Sequence, residues 1–93
     1  MVKVTDFDVS ESLDNDELIV EYLSAALEDE NPDVFLAAVG HVAKARGMSE
    51  IASKSGLGRE SLYKAFSPGA KPRYETVQKV LLSLGMKVHV SAT

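Results

Sequence analysis

Between positions 59 and 64 the chain carries Arg59, Glu60, Ser61, Tyr63 and Lys64, a mixture of strong hydrogen-bond donors and acceptors within two turns of helix. Such groups suit the edges of bases and the oxygens of phosphates. Arg59 has the planar fork that meets guanine O6 and N7 together, a contact worth about 1–3 kcal/mol of discrimination. Glu60 can accept from a cytosine amino group or orient Arg59. Tyr63 and Lys64, one turn further on, can reach a phosphate or a thymine methyl. Lys71 and Arg73 follow in a loop and fit contacts to the backbone, which position a protein without reading sequence. Ser49 completes this candidate DNA-binding set.

The elements that must position these groups are two short helices, about Met48 to Ser55 and Arg59 to Phe66, separated by Gly56-Leu57-Gly58. Counted from Met48, Ala52 is fifth, Gly56 ninth, Leu57 tenth and Leu62 fifteenth, which is the spacing of a helix-turn-helix over Met48 to Ser67. Two helices crossing steeply touch near Ala52, where only a small side chain permits close approach. Gly56 sits where the tight turn requires a positive φ. Ile51, Leu57 and Leu62 anchor the pair, leaving Gly58, Arg59, Glu60, Ser61, Tyr63 and Lys64 on the outer face or the leading end of the second helix, the end that enters the major groove in such motifs. Helices this short need packing from the rest of the chain. A helix-turn-helix that serves packing alone would share the spacing but has no use for a cationic outer face.

Three further helices complete an all-α reading of five. Asp14 is a candidate N-cap with Glu17 three residues on, and Leu18, Ile19, Tyr22, Leu23, Ala26 and Leu27 recur as a stripe buried on one side, ending near Glu28. Asn31-Pro32-Asp33 restarts the chain with a cap, a proline at the first helical position and an acid in the first turn. Val34, Phe35, Ala38, Val39, Val42 and Ala43 form its apolar face, and Gly47 is its stop. The small residues Ala37, Ala38, Gly40 and Ala43 admit a close neighbour. The stretch from Ser67 to Pro72 is a loop because of its prolines and glycine. Tyr74, Val77, Val80, Leu81 and Leu84 mark the last helix. Met86-Lys87-Val88-His89-Val90 alternates apolar and polar, the pattern of a short C-terminal β-strand. Its partner would be Val2-Lys3-Val4 or the tail of a second chain.

The 93 residues predict one domain, 1–93, with a single core. The net charge of −4 conceals a division: residues 1–43 hold eleven acids against Lys3 alone, a net of −10, whereas residues 44–93 hold nine bases against three acids, a net of +6. Two surfaces with different partners follow, one suited to phosphate and one to something basic. With no cysteine, disulfides, zinc-finger ligation and thiol catalysis are excluded. No signal peptide and no run of about 20 apolar residues is evident, so a cytoplasmic protein away from the membrane is expected. His41, in an apolar helical face, and His89 are too far apart for a metal site. The cluster Glu28-Asp29-Glu30 with Asp33 lacks the alternating spacing of a calcium loop. Neither a nucleophile elbow nor a phosphate-binding glycine loop appears, and neither an enzymatic activity nor a cofactor is expected.

From Asp29 to Leu84 the sequence resembles the addiction-module antidote proteins, HigA-like antitoxins with a phage-repressor type helix-turn-helix. The resemblance is carried by Ala37-Ala38-Val39-Gly40, Ala43-Lys44-Ala45-Arg46-Gly47-Met48, Gly56-Leu57, Arg59-Glu60-Ser61-Leu62-Tyr63 and Ser67-Pro68-Gly69. It implies a five-helix, lambda-repressor-like DNA-binding domain in an antitoxin that represses its own operon as a dimer and neutralises a small, basic, RelE/ParE-like toxin. Such a toxin gives the acidic half a partner of the right sign, with Asp16, Glu17, Glu21 and Glu28 as candidate contacts. Two departures from the broader repressor pattern stand out. Met48 occupies a place often held by a backbone-contacting glutamine, and Ala65 replaces a larger apolar anchor, so that Phe66 or Tyr74 must fill its space.

Alternatives remain: a phage-derived transcriptional regulator with no toxin partner, or a module that binds only protein. Dimerisation is expected because one short recognition helix covers few base pairs, and the last helix and tail are the expected interface.

Overall fold

Asn15 begins the first helix, α1 (Asp16–Leu27): its Oδ1 accepts from the backbone N–H of Glu17 at 2.7 Å and of Leu18 at 3.3 Å. The computed structural model describes residues 15–93, so the expected cap Asp14 lies outside the described residues; with Asn15 in the cap place, Glu17 stands second in the helix rather than third. Asp16 and Glu17 still place negative charge where the helix dipole favours it. Ile19, Leu23 and Ala26 are buried and Tyr22 is half-buried, as the periodicity requires. Leu18 and Leu27 depart from the expected stripe, being 42% and 46% exposed. One neighbouring helix covers only part of the circumference, and both leucines fall at the margin of that contact.

Helix α2 (Pro32–Arg46) starts as its sequence dictates: Asn31 Oδ1 accepts from Asp33 N–H at 2.9 Å, and proline stands where its missing N–H costs nothing. Lys44 and Arg46 lie in the last turn, the favourable end for cations. Ala38, Val39, Val42 and Ala43 are buried, whereas Val34 is 38% exposed. Arg46 Nη2 lies 2.8 Å from Asp16 Oδ1, and Tyr22 Oη lies 2.9 Å from His41 Nδ1. The start of α1 thus meets the end of α2, and the two helices run antiparallel. His41 is exposed and linked to Tyr22, not embedded in the apolar face.

Three more helices follow: α3 (Met48–Ser55), α4 (Arg59–Ala65) and α5 (Tyr74–Ser83). Helix α3 packs on α2 and α5, α5 also reaches α2, and α4 rests on α3. Ile51, Leu62, Val39, Val42, Val80 and Ile19 are the largest fully buried side chains, so every helix contributes to one core. Met48, 4% exposed, spends its side chain there. Phe66, which caps α4, packs onto Gly40 of α2, while Tyr74 is 68% exposed. Of the two candidates for the space beside Ala65, Phe66 is therefore the one that packs.

The expected C-terminal strand is absent: no strand occurs among the described residues. Helix α5 closes with Gly85 N–H donating to Leu82 O and Met86 N–H donating to Leu81 O, both at 2.9 Å, the paired bonds of a Schellman motif. Met86 is consumed as the apolar residue of that motif and is buried. Beyond it, Val88 and Val90 have no backbone ladder among the described residues, and Val90 is 95% exposed. The proposed partner Val2-Lys3-Val4 lies outside the described residues. No helix among the described residues is long and apolar enough to cross a membrane.

Candidate nucleic-acid interface

The turn between α3 and α4 is built by Gly56, whose φ of 77° and ψ of 7° lie in the left-handed region. Its N–H donates to Ala52 O at 3.0 Å, closing α3, and the next N–H, of Leu57, donates to Ser55 Oγ at 3.2 Å. Leu62 N–H then donates to Gly58 O at 3.0 Å, which starts α4 after only three intervening residues, Gly56, Leu57 and Gly58. Leu62 is fully buried and Leu57 half-buried, so α4 is held by its inner face while Gly58 to Ser61, Tyr63 and Lys64 remain exposed. This matches the inside and outside expected from the spacing.

Arg59 and Tyr63 stand four residues apart on α4, and the guanidinium carbon lies 5.8 Å from the centre of the phenol ring. Lys44 joins them from α2, its Nζ 6.0 Å from the same centre. Sequence reasoning left Lys44 out of the candidate set. Its charge and its position one turn before Met48 were visible, but its proximity to Tyr63 depends on how α4 crosses α2.

Charge partners separate the cations into two groups. Lys54 Nζ lies 2.8 Å from Glu50 Oε1, one helical turn away, and holds that carboxyl below its usual range through a hydrogen bond reinforced by charge attraction. Arg46 meets Asp16, and Arg73 Nη1 lies 3.7 Å from Glu75 Oε1, both of the latter pair well exposed. Among the described residues, Lys44, Arg59, Lys64, Lys71, Lys79 and Lys87 make no ion pair, and the first three gather around α4. Ser49 is exposed in the first turn of α3 and, like Glu60 and Ser61, has no side-chain hydrogen-bond partner among the described residues. Only Arg59 and Tyr63 of the expected set are brought into mutual contact.

On the acidic side, Asp16, Glu17, Glu21 and Glu28 are all exposed, and Asp16 is engaged with Arg46. Beside Glu28 a groove of about 440 Å³ is walled by Leu27, Phe35, Tyr74, Val77 and Leu81, with Asp29 and Glu30 at its rim. No three of His, Cys, Asp and Glu converge on a possible metal position among the described residues.

The family model described as "probable addiction module antidote protein" matches residues 3–92. A Haemophilus influenzae protein described as uncharacterized is 42% identical over 88 residues, which span 95% of this chain and 91% of that protein. No solved structure matches the chain. A match across nearly the full length shows that the chain belongs to the addiction module antidote family.

Proposed function

We propose that the chain is an antitoxin whose α3 and α4 act as a helix-turn-helix on operator DNA, repressing its own operon, while its acidic half neutralises a basic, RelE/ParE-like toxin. The observation that carries the DNA reading is the group of unpaired cations around the exposed side of α4: Lys44, Arg59 and Lys64 have no carboxylate partner among the described residues. Arg46 and Lys54 are engaged with carboxylates. An unpaired cation on this face can neutralise a phosphate, releasing counterions and driving binding. Arg59 at the start of α4 reads base edges, with Glu60 and Ser61 beside it; Ser49, Lys64, Lys71 and Arg73 contact the backbone.

Membership of an antidote family supports a toxin as the second partner, and the charge of residues 1–43 supports a basic one. Glu17, Glu21 and Glu28 are free to meet it, with Asp16 shared with Arg46. A second copy of the chain joins through α5 and the tail, where Leu82 is 52% and Val90 95% exposed. A homodimer doubles the base pairs read by one short helix.

Retardation of the DNA immediately upstream of the chain's own coding sequence tests the first part. Binding that falls steeply between about 50 and 200 mM salt is expected. Absence of retardation at low salt would refute it. The second part predicts copurification with a small basic protein encoded beside it, abolished by Glu17→Lys with Glu21→Lys. A neighbouring product that never copurifies, or one that binds the charge-reversed chain equally well, removes that part.

A further inference from the structure

We propose that Lys44, on α2, binds a phosphate of the DNA backbone and that Tyr63 is the positioning residue that holds it there, together with Arg59. The inference rests on the DNA-binding reading above and extends its interface beyond the two short helices. A lysine side chain is long and loses considerable rotamer freedom when fixed. The negative face of an aromatic ring offsets part of that loss by attracting an ammonium within about 6 Å. Tyr63 does this for two cations at once, with Lys44 Nζ at 6.0 Å and Arg59 Cζ at 5.8 Å from its centre.

The ring bridges two elements. Arg59 lies one turn away on Tyr63's own helix, whereas Lys44 comes from the last turn of α2. Two like charges drawn to one ring repel each other, and no carboxylate among the described residues relieves either of them. A phosphate at that edge of α4 would take up the charge of Lys44; a neutral ligand would not. Tyr63 is 44% exposed and both cations lie over its ring, so the ring is assigned the positioning part. Its role is then to preorganise charge, and base reading is left to Arg59.

Binding titrations over a salt series, on the chain's own upstream duplex and on a random duplex of equal length, test this. Lys44→Ala is expected to weaken both duplexes by the same factor and to reduce the magnitude of the salt slope by about 1, as the loss of one phosphate contact requires. Tyr63→Phe should keep the slope of the unaltered protein. Tyr63→Leu should lose Lys44's share, so that adding Lys44→Ala to it changes the slope less than Lys44→Ala alone. Proton resonances of the Lys44 ε-methylene provide a check without DNA: the ring shifts them upfield, and Tyr63→Leu should abolish that shift. Should the unaltered protein fail to bind either duplex at low salt, the DNA reading and the clamp fall together. Binding with an unchanged slope in Lys44→Ala overturns the clamp alone, and a reduced slope in Tyr63→Phe overturns the ring as its positioning element.

Discussion

Phe66 packs against bare backbone at Gly40: a Cβ built on Gly40 would stand 3.0 Å from the Cβ of Phe66. The contact ties the end of α4 to the middle of α2 and helps fix the angle at which α4 is presented. Because the obstructing atom is a Cβ attached to the backbone, no rotamer change can move it aside. Alanine is a better helix former than glycine by about 1 kcal/mol. Overpacking a fitted contact costs about 1–3 kcal/mol. Gly40→Ala is therefore expected to lower stability despite its better helix propensity, by about 1 kcal/mol or a few degrees in Tm. A thermal melt showing a rise would contradict this.

At Gly56 the cost has a different origin. Nothing lies within 4 Å of a Cβ built there, but the φ of 77° disfavours any residue that has one. Gly56→Ala should cost about 1–2 kcal/mol through backbone strain alone. Asparagine tolerates the left-handed region better, so Gly56→Asn should recover part of the loss in denaturant titration. Equal losses for the two substitutions would point to a lost contact instead of strain.

Leu62 is the fully buried residue through which α4 is attached to the core. Leu62→Ala removes the branched end of the side chain, a methine and two methyl carbons, and leaves a cavity, for an expected loss of about 2–5 kcal/mol. Since α4 has seven residues and cannot persist unpacked, amide hydrogen exchange should accelerate across Arg59–Ala65 before global unfolding. Uniform acceleration throughout the chain would argue against this local route.

Arg59 and Lys64 should differ in kind when each is replaced by alanine. Loss of Arg59 is expected to narrow the gap between operator and random DNA by about 1–3 kcal/mol, while loss of Lys64 weakens both equally. Competition titrations with single-base operator variants separate the two. If Arg59→Ala weakened every sequence alike, its base-reading role would be wrong.

The Glu50 carboxyl, held below its usual range first by the hydrogen bond from Lys54, sets a pH dependence of known sign. Its folded value is depressed, so its stabilising share is full above the ordinary glutamate range and is lost as pH falls through the folded value. Both side chains are about half exposed, so salt screens the pair and the effect is small. Glu50→Gln should flatten the acid side of the stability profile slightly and leave the neutral side nearly parallel. A change confined to neutral pH would contradict the assignment.

Local chemistry fixed most helix boundaries of this chain before any packing was known. Asn31-Pro32-Asp33 supplies a cap, a preset φ and a favourable charge within three residues, and Gly47, Gly56 and Gly85 stop helices in positive-φ conformations that favour glycine. The outer set Arg59, Glu60, Ser61, Tyr63 and Lys64 was legible for the same reason, because Leu62 in the middle had to face inward. The cap at Asn15 is the exception, since two adjacent residues of equal capping ability compete there.

What lay beyond sequence depends on neighbours distant along the chain. Leu18, Leu27 and Val34 match the apolar periodicity yet remain partly exposed, because a stripe shows which face is apolar and not how much of it another helix covers. Met86 belongs to an alternating pattern but is taken up by the end of α5, which removes the first residue of the expected strand. Lys44 and Tyr63 are nineteen positions apart and meet only because Leu62 and Phe66 set α4 across α2. The sequence alone determined which groups on α4 face outward; the tertiary packing decided which cation stands beside them.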